Sequence, residues 1–166
     1  MGRENKKPVR YNTGENRVIV YFYAPEAMTG RKRTPGGDFM RRVVVDMQNA
    51  LFADAIAVAL QKFDSDFEVC QSESPAKTTD LCFFTEANVL IMEVTAYTPW
   101  RLEERMNIRN EVKAQNPGCK IVLVVDENTE KKLADKVRQA KKDGLVDNFI
   151  YGSVSSTYLS AVIDAL

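Results

Sequence analysis

Carboxylates placed just after runs of apolar residues are the groups in this chain best spaced for chemistry. Asp46 follows Val43-Val44-Val45, Glu93 follows Val89-Leu90-Ile91-Met92, and Asp126 follows Ile121 to Val125. Composition removes most alternatives. The 166 residues include no histidine, so no serine or cysteine nucleophile has an imidazole base, and zinc sites that need histidine are excluded. Cys70, Cys82 and Cys119 are odd in number, form no CxxC pair, and read as reduced thiols of a cytoplasmic protein. Neither GxxxxGK nor GxGxxG occurs, and Ser153, Ser155, Ser156 and Thr157 read as a loop and helix cap rather than a phosphate loop. The cluster Arg31-Lys32-Arg33 with Arg41-Arg42 has the charge to contact a phosphate backbone. A charged, solubilising linker is the reading favoured for it, so nucleic acid is only a weakly supported partner.

The elements that must position these groups follow from periodicity. Short segments at 43–45, 67–70, 89–92, 121–125 and 148–151, apolar for the most part, read as strands. Between and after them lie helical patterns: Ala50 to Phe63, a short segment around Thr78 to Phe84, and one opening at Thr98-Pro99 and ending near Gln115. A fourth contains Leu133, Val137 and Ala140 and stops at Asp143-Gly144; the closing helix carries Leu159, Val162, Ile163 and Leu166. Strands buried on both faces and alternating with helices predict a three-layer, doubly wound α/β fold. Its five-stranded parallel sheet takes the flavodoxin-like order 2-1-3-4-5.

Lys+Arg and Asp+Glu both total 23, yet the charge is divided. Residues 1–42 carry ten basic and four acidic residues, and residues 43–166 carry thirteen and nineteen. Residues 1–40 therefore read as a basic arm and linker ahead of a domain over 41–166. Within the arm, Arg17 to Tyr23 has the pattern of an extra strand that adds to the sheet edge or pairs with a partner chain, and Arg31 to Gly37 reads as a flexible linker. No run is long and apolar enough for a membrane span or signal core, so no membrane partner is expected.

In such a sheet, function sits beyond the carboxyl ends of the strands at the switch in strand order. Asp46, Met47, Gln48, Glu93, Val125, Asp126, Tyr151 and Gly152 fall there. Over residues 41–166 the segments RRVVVDMQNALFADAIAVAL, NVLIMEVTAYTPWRLEE, KIVLVVDEN and DNFIYGSVSSTYLSAVIDAL resemble the receiver domains of bacterial response regulators. The resemblance implies a phosphoacceptor pocket in which Met47 and Gln48 stand where the family's acidic, Mg²⁺-holding pair stands, with Asp46 one position early. Glu93 stands at the acceptor aspartate, Val125 at the Ser/Thr that reads the phosphoryl group, and Tyr151 at the paired lysine. A longer acceptor, a lost cation and a thioether in place of a hard ligand each oppose phosphoryl transfer.

The expectation is a non-enzymatic, phosphorylation-independent pseudo-receiver without a cofactor, acting through protein contacts in a two-component or transcriptional pathway. Glu93 carries a permanent charge that can stand in for aspartyl phosphate, or is simply a solvated strand-end residue, and Tyr97 with Tyr151 is expected to fill the vacated pocket. By resemblance, the fourth helix, fifth strand and fifth helix form the partner or homodimer face, with Leu133, Val137, Tyr151, Tyr158 and Leu159 on it. Two alternatives stand beside this: a working acceptor using Glu93 or Asp46 with Mg²⁺, and a flavodoxin-like module that binds a small ligand. The chain ends with its closing helix, so a DNA-binding output segment is expected to lie outside these residues or not to exist.

Overall fold

The computed structural model describes residues 40–166 in full and, for 6–12 and 17–23, the course of the main chain. Elements run β1 Lys6–Asn12, β2 Arg17–Tyr23, β3 Arg41–Asp46, α1 Ala50–Phe63, β4 Phe67–Gln71, α2 Pro75–Thr85, β5 Val89–Val94, α3 Leu102–Gln115, β6 Lys120–Val125, α4 Lys131–Lys142, β7 Asn148–Tyr151 and α5 Ser156–Asp164. The sheet order is β1-β2-β4-β3-β5-β6-β7. From β4 to β7 every pairing is parallel, which is the expected 2-1-3-4-5 arrangement. The strand expected in the arm joins the sheet: β1 and β2 pair antiparallel, and β2 lies antiparallel to β4 with Phe22 opposite Cys70. Its partner strand β1 had no place in the sequence expectation, and the Arg31 to Gly37 linker lies outside the described residues.

Alternation along the strands sorts side chains onto two cores. Val44, Leu90, Met92, Leu123 and Val125 pack beneath α2, α3 and α4. Val43, Val45, Ile91, Val122, Val124 and Ile150 pack against α1 and α5. This parity decides which face each strand-end group serves.

Helix boundaries have local causes. The Asn49 side chain accepts from the Leu51 and Phe52 N–H groups and starts α1, and Ser155 accepts from the Tyr158 N–H to start α5. Pro75 occupies the first turn of α2, which therefore opens three residues before the expected start. In contrast, α3 begins at Leu102 and not at Thr98-Pro99. The Thr95 N–H donates to the Trp100 carbonyl and the Trp100 N–H to Tyr97, so the chain turns back on itself before helical hydrogen bonding can begin. Gly144, with φ of 72°, gives α4 a left-handed exit.

Candidate functional site

At the carboxyl edge of β3, β5 and β6 the chain forms a cleft of about 330 Å³. Glu93, Asp126, Asn49, Asn128, Phe52 and Ser153 line it, together with Val124, Val125 and Gly152. The Glu93 carboxylate is anchored: Oε2 accepts from the Gln48 N–H at 2.6 Å, which ties the end of β5 to the turn after β3. Asp126 is exposed and engaged by its own loop. Its oxygens accept from Thr129 Oγ1 at 2.8 Å and from the Asn128 N–H at 2.8 Å, and these bonds hold its carboxyl below the usual carboxylate range.

Asp46 lies on the opposite face of the sheet. Even-numbered residues of β3 face α2 and α3, so its carboxylate enters the core beneath those helices and is 1% exposed. There it meets Arg105 of α3, which is fully buried. Arg105 Nη1 donates to Asp46 Oδ2 at 2.5 Å, and Nη2 donates to Oδ1 at 3.2 Å and to the Asp46 carbonyl at 3.3 Å. The same guanidinium donates through Nε to the Glu93 carbonyl at 2.7 Å. Thr78 Oγ1 of α2 completes the cluster with a 2.6 Å bond to Asp46 Oδ2. One side chain thus fastens the ends of β3 and β5 from below, and both oxygens of Asp46 are taken.

Arg105 was not singled out in the sequence. Its signal was available: it stands three residues after Leu102 and three before Ile108, so it occupies the stripe of α3 that turns inward. A cation at such a position calls for a buried anion, and Asp46 is the one that β3 supplies.

The remaining expected pocket residues separate. Met47 is a core side chain packed with the α1–α5 cluster, and Gln48 is exposed, its backbone serving Glu93. Val125 is 1% exposed and packs beneath α3 and α4, contributing only its edge to the cleft. Tyr151 does not fill the cleft. Its ring packs edge-on to Phe149 with centroids 5.3 Å apart, and its hydroxyl accepts from Arg138 Nη2 at 2.8 Å. Tyr97 is 69% exposed and fills nothing.

A divalent cation of the kind receivers hold does not fit these residues. It needs a cluster of free, hard oxygen ligands. Asp46 is held by Arg105 and Thr78 on the far side of the sheet and the next position is a thioether, which leaves two cleft carboxylates, Glu93 and Asp126, each engaged by local hydrogen bonds. Among the described residues no three candidate ligands gather anywhere.

The other expected contact sets are also revised. Arg41 and Arg42 are engaged within the fold: Arg41 pairs with Asp64 at 2.9 Å and with Asp164 and lies 3.9 Å over the Phe67 ring, while Arg42 pairs with Glu86 at 2.9 Å. They knit β3 to α1, α2 and α5, so they are not a free phosphate-binding pair. Arg31, Lys32 and Arg33 lie outside the described residues. On the expected interface, Val137 and Leu159 are core side chains, because they sit on the inward stripes of α4 and α5. Leu133 is half-buried, Tyr151 is held by Arg138, and Tyr158 stands out, 56% exposed.

Neither protein-family models nor the curated proteins contain a match to this chain. Solved structures do. A response regulator from Thermotoga maritima is 16% identical with a TM-score of 0.60, over 76% of this chain and 96% of that one. A CheY-like protein, TadZ, from Pseudomonas aeruginosa is 16% identical with a TM-score of 0.58, over 75% and 98%. A response regulator receiver domain protein from Methanospirillum hungatei is 13% identical with a TM-score of 0.58, over 76% and 92%. The chain has the receiver fold. At this identity the likeness concerns architecture, and the chemistry rests on the residues described above. Among the described residues no helix is long and apolar enough to cross a membrane.

Proposed function

We propose that this chain is a receiver-like signalling module that works by protein–protein contact, does not accept a phosphoryl group and is not an enzyme. The observation that carries this is the saturation of Asp46 by Arg105 and Thr78 in the core. Phosphoryl transfer in this architecture requires an acceptor oxygen in line with the donor and cations to neutralise the transferring group. Here the cleft offers two carboxylates, Glu93 held on a main-chain N–H and Asp126 held by its own loop, and no lysine to compensate the transferring group. The Glu93 carboxylate is tied to the turn after β3 by the Gln48 N–H, and the Glu93 carbonyl is tied to Asp46 of β3 through Arg105. Such a module presents one state of its surface constitutively, as a scaffold in a signalling or transcriptional pathway. The α4–β7–α5 flank, with Tyr158 exposed on it, is a candidate face for a partner or a second copy.

The test is incubation of the full chain with Mg²⁺ and acetyl phosphate or beryllofluoride, read by intact mass and by ¹H–¹⁵N shifts. No adduct of about 80 Da and unchanged amides at Gln48, Glu93 and Asp126 are expected. A stable adduct, or shifts spreading from Glu93 toward α4 and α5, would restore a phosphorylation switch and overturn the reading.

A further inference from the structure

A second concavity, of about 380 Å³, lies between the start of α3 and the start of α4. It shares no lining residue with the cleft at Glu93. Its lining carries three cations against one carboxylate, Glu103. Arg101, Lys132 and Lys136 line it, around an apolar floor of Leu102 and Leu133. Arg101 is drawn only loosely to Glu103, at 3.4 Å between exposed groups. Lys132 and Lys136 are exposed, and neither forms an ion pair or hydrogen bond among the described residues.

Lys132 and Lys136 stand four residues apart and so share one face of α4. Like charges at that spacing cost a helix stability. Elsewhere on α4 the chain relieves such strain: Arg138 pairs with Asp135 at 2.8 Å and bonds to Tyr151, and Lys141 bonds to the Asp147 carbonyl. On the side facing α3 the two lysines stay unpaired beside the half-buried Leu102 and Leu133. The two walls are joined, because Glu130 at the start of α4 accepts from the Ala96 N–H at 3.2 Å, so the groove is set by the fold.

We propose that this groove docks a short acidic segment of a protein partner, an apolar residue on Leu102 and Leu133 with flanking carboxylates on Arg101, Lys132 and Lys136. The proposal rests on the reading of the chain as a partner-binding module and gives that partner a chemistry. The volume lies within the range of about 300–1,000 Å³ that seats a side chain or small ligand. Carboxylates at the rim argue against a long polyanion: Glu103 is 81% exposed beside Arg101, and Glu104 and Glu130 lie next along the two walls. A peptide places its charges locally and avoids them; a nucleic-acid backbone would have to run past them.

The probe is an acetylated, amidated ten-residue peptide of glutamates around two leucines, titrated into ¹⁵N-labelled full chain. Expected are shifts centred on residues 101–103 and 132–136, with a Kd of about 0.1 mM that weakens as salt rises. The double variant Lys132→Glu with Lys136→Glu should weaken binding at least about tenfold, while Lys142→Glu at the far end of α4 leaves it nearly unchanged. Unfolding midpoints of both variants verify that the fold is intact. Absence of groove shifts up to about 1 mM peptide overturns the proposal. So do shifts confined to Tyr158 and β7, or equal displacement by inorganic phosphate or a random DNA duplex. The phosphodonor experiment separates the two ideas: an adduct at Glu93 with the peptide still seated in the groove removes the phosphorylation-independent reading and keeps the groove. Absent groove shifts with no adduct do the reverse.

Discussion

Replacing Arg105 with alanine should destabilise the domain more than any exposed charge change. The guanidinium makes four contacts: two to the Asp46 carboxylate, one to the Asp46 carbonyl and one to the Glu93 carbonyl. With charge centres about 4 Å apart and an effective dielectric near 20, the attraction is about 4 kcal/mol. Deleting one member of a buried pair leaves the other ionised and unpaired, which costs about 3–5 kcal/mol. Two main-chain carbonyls lose a donor in addition, so the upper part of that range is expected. Urea unfolding followed by circular dichroism reads it directly: with a slope of about 2 kcal/mol per M, 4 kcal/mol lowers the midpoint by about 2 M. The double variant Asp46→Leu with Arg105→Met should recover most of the loss, because two apolar side chains leave no buried charge behind. Arg105→Lys should fall between, since an ammonium cannot fork across Asp46 and reach Glu93. A midpoint shift of less than about 0.5 M for Arg105→Ala would refute the reasoning, and with it the claim that Asp46 is committed to the core.

Two further outcomes follow from the titrating groups. Burial alone would raise the Asp147 carboxyl, but the Ile121 N–H at 2.8 Å, Lys113 and Lys120 outweigh it and hold it below the ordinary carboxylate range. A lowered folded-state pKa contributes stability that is present above the unfolded value near 4 and lost as pH falls through the folded one. The stability gap between the parent chain and Asp147→Asn should therefore be widest at neutral pH and close below about pH 4; a gap independent of pH would contradict it. Burial pushes the Cys119 thiol up to about 11 and Cys70 up to about 12, and raises Cys82 as well. Thiol reagents at pH 7.5 should label none of the three in the native protein and all three in denaturant; rapid native labelling would mean that one of them is accessible.

Much of the architecture was legible because periodicity is a local property. Val43 to Val45 and Ile121 to Val125 are apolar on consecutive positions, short and rich in β-branched residues, as strands buried on both faces are. The strand Arg17–Tyr23 also showed in its own residues. Its partner Lys6–Asn12 did not, because a run holding Lys6, Lys7, Pro8 and Arg10 offers only Val9 and Tyr11 as an apolar alternation. The start of α3 was misplaced because Thr98-Pro99 carries the local signature of a helix cap, whereas the Thr95 to Trp100 bond that closes the loop joins residues with no recognisable motif.

What the sequence determined by itself is the set of elements from β3 to α5, their alternation, and therefore the layered parallel sheet with its carboxyl-edge cleft. Tertiary structure alone decided what the remaining groups do. Whether Asp46 faces the cleft or the core depends on strand parity against two packed layers, and its neutralisation depends on Arg105, 59 positions away. Val137 and Leu159 became core, and Arg41 and Arg42 became cross-links, through packing that no window of the chain contains. Charge pairing and burial are properties of neighbours in space, and in this fold those neighbours come from different strands and helices.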